Sequence, residues 1–434
     1  MGAATDRMMR GVAVGLALTL AAPAAAEPVV IHAGRLIAVP GEGARGASTI
    51  TVDNGRIVSV EDGHRGVPAG SRLIDLSDRT VLPGLIDSHV HLDSDTGGNA
   101  ALIEGMTNED GYFALQAYAN GMKTLRAGFT TVRNLGDGTG ATLALRDAVE
   151  RGTVQGPRIV DAGRSLSATA GHMDGALGLR FEMRELAEQA GNTCDGAEDC
   201  RRAVRLQVAR GADVIKFAST GGVNSRIGAG LGAQLFEDEA RAIVETARLY
   251  DKEVAVHAHG DDGILMALKL GVDSIEHGTI LSREVIDTWA KSDTYYVPTL
   301  STVNGYKERL AGDTSAYEPA VLDKIRWRIG ITGKSLETLV PRGVKIAFGT
   351  DAGVSKHGRN ADEFELMVQH GMTPETALVA ATVNAAALLK LSDEIGTIEP
   401  GKSADLIAVA GDPLADVTVL KDVSFVMARG EVID

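Results

Sequence analysis

The sequence predicts an α/β protein: a (β/α)8 TIM barrel with a small β-sandwich domain formed from both termini. Three observations carry that expectation. The middle of the chain alternates short apolar runs with helical patterns over roughly 300 residues. The two ends are instead series of short apolar runs split by Gly, Asn-Gly and Pro turns. Of the 434 residues, 44% are hydrophobic and 23% charged, a balance that suits a large folded core and argues against disorder.

Taken in order, residues 1–26 read as a secretory signal peptide. Arg7 and Arg10 supply the positive segment, an apolar run follows from Gly11 to Ala22, and Ala24-Ala25-Ala26 supplies a small-residue cleavage site before Glu27. The alternative is an uncleaved anchor, but the run is short for crossing a bilayer. The expected location is therefore outside the cytoplasm, in a bacterial periplasm or secreted, without stable membrane association once the leader is removed. Residues 27–83 form the first part of the β-sandwich: VVIHAGRLIAV, STITVDNGRIVSVE and RLIDLSDRTVL are strand-like, with Asn54-Gly55 as a hairpin signal. Residues 393–434 have the same texture and form its second part.

Between them, 84–392 is the barrel. LPGLIDSHVH, FTTVRNL, PRIVDAG, ADVIKFAS, KEVAVHAHG, VDSIEHG, TYYVPTL and VKIAFGTDAG are eight candidate buried parallel strands. EDEARAIVETARLY and DDGILMALKLG are among the helices between them. The pattern favours a closed barrel over an open sheet.

Charge narrows the function classes. With 43 Lys+Arg against 58 Asp+Glu, the net charge is −15, which disfavours nucleic acid and anionic membranes as partners. Aromatics at 4% also leave little for base stacking. The two cysteines, Cys194 and Cys200, sit close together in NTCDGAEDC. In an exported chain a local disulfide is the expected state, with two free surface thiols as the alternative.

The chemistry shows in where the polar residues fall. Buried strands ordinarily end in apolar or neutral residues; these end in histidine, lysine and aspartate, at the barrel mouth where active sites lie. His89 and His91 close the first strand at i and i+2, so both rings share one face and can bind one metal. His257 and His259 repeat that spacing on the fifth. Lys216 lies inside the apolar strand VIKFAS, where an unpaired ammonium is costly; it must lose its proton, find a partner or snorkel to the rim. His277 follows the sixth strand. Its neighbour Glu276 is also a candidate, but period-2 alternation turns the two to opposite faces and favours His277. Asp351, after the eighth strand, can bind metal, accept a proton from water, or cap a helix.

Together PGLIDSHVHLD, the strand lysine, VHAHG, IEHG, GTDAG and the C-terminal GTIEPGKSADLIAVAGDPL resemble the metal-dependent amidohydrolase superfamily over essentially the whole mature chain. TAGHMDG, STGGVNSR and CDGAEDCRRAV resemble its imidazolonepropionase-like branch, which includes Xaa-Pro and Xaa-Arg/Lys dipeptidases and ochratoxin-hydrolysing amidases. The resemblance implies two divalent metal ions per subunit, most often zinc. His89, His91 and Asp351 would hold one, His257 and His277 the other, and Lys216, N-carboxylated, would bridge them. It also implies amide hydrolysis, with Asp351 moving the proton of the attacking water to the leaving amine and His172 polarising the carbonyl. His259 becomes a substrate-facing residue, or one that orients a ligand.

A dipeptide or N-acyl amino acid carries a free carboxylate that wants a cationic or donor-rich pocket. Arg226 is the first candidate, with His259 and Tyr296 behind it. Ser94 is placed near the first metal. Lys356 and His357 could also meet an anion, or simply be solvated. Imidazolonepropionase-like or lactonase chemistry is the enzymatic alternative. A deaminase would have a glutamate three residues after His257, where Gly260 stands. A metal-binding scaffold with a dead site is the remote alternative. Relatives of this kind are commonly homo-oligomers.

Overall fold

The computed structural model describes residues 27–95, 98–188, 190–225 and 230–434. The signal-peptide reading of 1–26 and the candidate Arg226 lie outside the described residues.

The N-terminal strands are β1 (Val29–Leu36), β2 (Ser48–Asp53), β3 (Arg56–Asp62) and β4 (Arg72–Pro83). Asn54 and Gly55 join β2 to β3 with φ of 48° and 76°, the left-handed pair that a two-residue hairpin requires. Within the middle of the chain lie β5 (Leu85–Val90), β6 (Phe129–Asn134), β7 (Arg158–Asp161), β8 (Val214–Ala218), β9 (Glu253–Ala258), β10 (Ser274–His277) and β11 (Tyr295–Val297). The chain ends with β12 (Leu406–Val409), β13 (Val423–Ala428) and β14 (Glu431–Val432).

Both termini contribute to one seven-stranded sheet, in the order β14-β13-β12-β4-β1-β2-β3. The long strand β4 is the joint: it runs parallel to β1 and antiparallel to β12. That double pairing makes the terminal strands one continuous hydrogen-bonded sheet. Ile31, Ile50, Val81, Leu406 and Met427 pack in its apolar core.

The middle strands form two parallel sheets, β5-β6-β7 and β11-β10-β9-β8. Every residue of β5, β6, β8 and β10 is buried, as expected of parallel strands covered on both faces. Helix Glu237–Arg248 shows how the cover is built. Ala240, Ile243, Val244 and Ala247 are buried, whereas Arg241, Glu245 and Arg248 face water.

Seven of the eight expected runs are strands. The eighth, residues 344–353, meets its neighbouring strands only through single parallel bridges, Tyr296↔Ile346 and Val90↔Ala352. Its ladder is interrupted because the Phe348 N–H donates to the Ala380 carbonyl, at 3.0 Å, instead of to a strand. Asp351, at φ 57°, then leaves extended geometry altogether. This segment lies between β11 and β5. On the other side of the two sheets, Leu166 makes a parallel bridge to Phe217 of β8. Among the described residues no helix is long and apolar enough to cross a membrane.

Cys194 and Cys200 are joined as a disulfide. Cys194 N–H donates to the Ser167 carbonyl, and Ser167 N–H donates to that of Asn192, so the bridge ties helix Ala197–Ala209 to the segment leading into His172.

Candidate active site

The C-terminal ends of β5, β8, β9 and β10 point the same way, and their polar side chains converge. His89 is 2% exposed; its Nδ1 donates to Glu276 at 2.8 Å, which leaves Nε2 as the free acceptor, 3.5 Å from Asp351 Oδ1. His91 Nδ1 donates to the Gly136 carbonyl at 3.1 Å, and its Nε2 lies 3.3 Å from the same Asp351 oxygen. The chain places Asp351 by donating its N–H to the His89 carbonyl at 2.7 Å. Burial alone would raise the Asp351 carboxyl, but His89, the His91 hydrogen bond and Lys216 outweigh it and bring it to about 2.

A second group forms beside the first. Ligand-capable atoms of His257, His259 and His277 lie within 4.8 Å of one another, and so do those of His89, His277 and Asp351. His277 belongs to both groups. Its Nδ1 is 2.8 Å from Thr299 Oγ1, and that hydroxyl gives its own proton to the Pro298 carbonyl. The imidazole must therefore be the donor, so Nε2 is left free for a ligand. His257 is oriented the other way: Nε2 faces the Gly221 carbonyl at 3.4 Å. Burial holds His257, His259 and His277 well below the ordinary imidazole range, in the neutral form that metals require.

His277 also departs from period-2 alternation. Its φ is 72°, so the strand turns at its last residue. Glu276 and His277 consequently both serve the site: Glu276 binds His89 from below while His277 joins the two ligand groups.

Lys216 lies in the middle of β8, 1% exposed, and its Nζ has no hydrogen-bond partner. Burial pushes the amine down to about 8. An orphaned, easily deprotonated amine beside neutral imidazoles and a carboxylate fits a centre for divalent cations. His172 approaches from a loop, its ring centroid 4.2 Å from that of His257. Its Nδ1 is 2.5 Å from Ser225 Oγ. Burial holds this ring near 4, hence neutral.

These groups open onto a cavity of about 1100 Å³ whose wall includes Ser94, His172, His259, Tyr306, Arg309 and Arg328. Tyr296 is not on that wall. It is buried against Trp289, with its hydroxyl donating to the His277 carbonyl at 3.2 Å. His357 donates to the His91 and Ser94 carbonyls, and Lys356 to that of Asp95, so both brace the loop that follows His91.

Residues 80–433 match the amidohydrolase family model. The chain belongs to the amidohydrolase family. It is 32% identical to an ochratoxinase of Aspergillus niger, over 93% of this chain and 86% of that protein. A solved Xaa-Pro dipeptidase with bound methionine is 37% identical, with a TM-score of 0.87 over 93% of this chain and 99% of that one. A prolidase complexed with N-methylphosphonate-L-proline is 31% identical, with a TM-score of 0.84 over 94% and 99%. An imidazolonepropionase of Salinispora tropica is 26% identical over 84% of this chain and 88% of its own. This amidohydrolase is accordingly a hydrolase of amide bonds in a metal-dependent family, acting on a small-molecule substrate.

Several further residues of the amidohydrolase site are not among the candidates that the sequence suggests. Arg133 is 1% exposed and binds Glu276 at 3.0 Å, Ser274 Oγ at 3.1 Å and the Ser88 carbonyl at 2.7 Å. A cation inside an apolar strand is the same signal that singled out Lys216, and FTTVRNL displays it. Thr299, Ser225 and Arg328 carry no comparable signal.

Proposed function

We propose that this amidohydrolase cleaves the amide bond to a C-terminal amino acid, in dipeptides or N-acyl amino acids, at a centre of two zinc ions. The observation that carries the metal reading is the orphaned Lys216 Nζ beneath two ligand groups that share His277. His89, His91 and Asp351 would hold one ion and His257 and His277 the other. Lys216, carboxylated by carbon dioxide, would become an anionic bridge, which removes the cost of burying its charge. His259, close enough to His257 and His277 to be a ligand, is left to the substrate or to orienting them. Bound divalent ions supply Lewis acidity and make water a nucleophile near neutral pH.

The chain's own residues supply the rest. Asp351 accepts the proton of the attacking water and delivers it to the leaving amine, which departs poorly as an anion. Ser225 Oγ accepts the Gly222 N–H, so its own proton is available to His172 Nδ1. That arrangement sets His172 as an Nε2–H donor toward the carbonyl oxygen, where charge develops.

The substrate class is supported by the relatives: an ochratoxinase, an Xaa-Pro dipeptidase holding methionine and a prolidase holding a proline derivative. Ochratoxin A is therefore among the candidate substrates. The same reading takes residues 84–392 as one closed eight-stranded barrel, with 27–83 and 393–434 as a β-sandwich. The single bridges on both sides of the two parallel sheets support closure. It also takes 1–26 as a leader for export, and the mature protein as a homo-oligomer.

The test is hydrolysis of a dipeptide library extended with N-acyl-phenylalanine amides and ochratoxin A. Turnover of substrates with a free C-terminal carboxylate is expected, and the preferred residue names the subclass. Activity confined to lactones or cyclic amides would overturn the proposal.

A further inference from the structure

Arg328 lies on helix Pro319–Gly330, only 3% exposed, on the wall of the cavity that holds the metal-ligand candidates. Its guanidinium makes one long hydrogen bond, Nη1 to Thr332 Oγ1 at 3.4 Å. Among the described residues no carboxylate pairs with it. Among the described residues the other cations around the cavity are served. Arg309 binds Asn224 Oδ1 and the Val354 carbonyl, Lys324 binds the Gly222 and Ser225 carbonyls, and Arg210 binds the Ala190 carbonyl. Arg164 is partly exposed to solvent.

A guanidinium this little exposed that faces the cavity without an anion is poorly solvated, and the cations proposed for the centre of the same cavity would add to that cost. The cost disappears when an anion enters. A planar fork of N–H donors matches a carboxylate in two parallel hydrogen bonds. Arg328 stands on the His259 side of the cavity, with the neighbouring Trp327 ring 6.5 Å from that of His259, and its charge reinforces the neutral state of His259.

We propose that Arg328 anchors the free carboxylate of the substrate's C-terminal amino acid. The residue sets the end of the substrate against helix Pro319–Gly330, so that only a molecule with a carboxylate on the amine side of the scissile bond is held. This rests on the amide-hydrolase reading for its substrate class, but it is tested by binding alone.

The test is calorimetric titration of the metal-loaded protein with L-phenylalanine, L-proline and L-methionine and with their carboxamides. The native protein is expected to bind at least one acid more tightly than its carboxamide. Arg328→Gln is expected to weaken the acid by about 10–100-fold, so that the acid-to-amide ratio collapses toward one. Arg328→Lys keeps the charge without the fork and should fall between; it also supplies the test if Arg328→Gln does not fold. No carboxylate preference in the native protein, or an unchanged ratio in both variants, overturns the proposal. Carboxylate-dependent binding without any hydrolysis would count against the amidase reading and leave the anchor standing.

Discussion

Glu276 accepts the Nδ1 proton of His89 at 2.8 Å while its other oxygen holds Arg133 at 3.0 Å. The pairing fixes which imidazole nitrogen faces the cavity. Burial alone would raise the Glu276 carboxyl, but Arg133, Lys216 and the His89 hydrogen bond bring it to about 2, so it stays an anion. A carboxylate behind a ligating histidine locks its tautomer and raises its basicity.

Glu276→Gln removes that charge and should weaken metal retention by about 10–100-fold. Arg133 is left without its anion, so the unfolding temperature should also drop. Metal titration with a chelator buffer reads the first effect and circular dichroism the second. Unaltered metal affinity would show that Glu276 is only a structural partner of Arg133.

How much of this was legible beforehand depends on the residue. His89, His91, His257, His277, Lys216 and Asp351 stand out because polar groups at the ends of apolar runs contradict core packing. Alternation disfavours Glu276 because it assumes an extended strand to its last residue, and the left-handed His277 breaks that assumption. Residues 344–353 looked like a strand because apolarity does not say where an N–H goes; the one on Phe348 goes to Ala380. Arg328 follows Lys324 and Arg326 on a helix that reads as an ordinary solvated face. Only tertiary packing turns its guanidinium inward. Tyr296 read as a substrate contact, yet packing places it behind His277.

His172 depends on a glycine. A Cβ on Gly222 would stand 2.2 Å from the His172 ring. Gly222→Ala must therefore displace the imidazole, while it changes none of the proposed metal ligands themselves. The expected outcome is a fall in kcat of about 100-fold, comparable to losing an oxyanion donor, with metal content unchanged. Normal kcat in that variant would remove His172 from the mechanism.

Glu363 is fully buried and accepts the Leu300 and Ser301 N–H groups at 2.8 and 2.6 Å, beside the Thr299 that orients His277. Burial raises its carboxyl to about 7 from an ordinary 4.5. A folded-state value above the unfolded one means that the stabilisation is complete below 4.5 and is lost as pH rises through 7. Glu363→Gln removes the titration, although its NH2 then faces one of the two N–H donors, so the pH dependence rather than the absolute stability is the readout. Its unfolding temperature relative to the native protein should rise between pH 5 and pH 8 by a few degrees, on the order of 2–6 °C. A pH-independent difference would contradict the assignment.

The disulfide closes a short loop, six residues in sequence separation, next to the His172 segment. Opening it by Cys194→Ser and Cys200→Ser together should cost about 2 kcal/mol, because closing so short a loop removes little unfolded-state entropy. Chemical denaturation reads this directly. Loss of several times that amount would mean that the bridge organises more of the fold than its own loop.

Metal stoichiometry tests the central claim most directly. Purified protein reconstituted with zinc and freed of excess metal should contain two ions per chain by elemental analysis, and Lys216→Ala should contain fewer than two. A native chain that hydrolyses its substrate with one ion or none, or a Lys216→Ala chain that keeps both, would contradict the two-metal account.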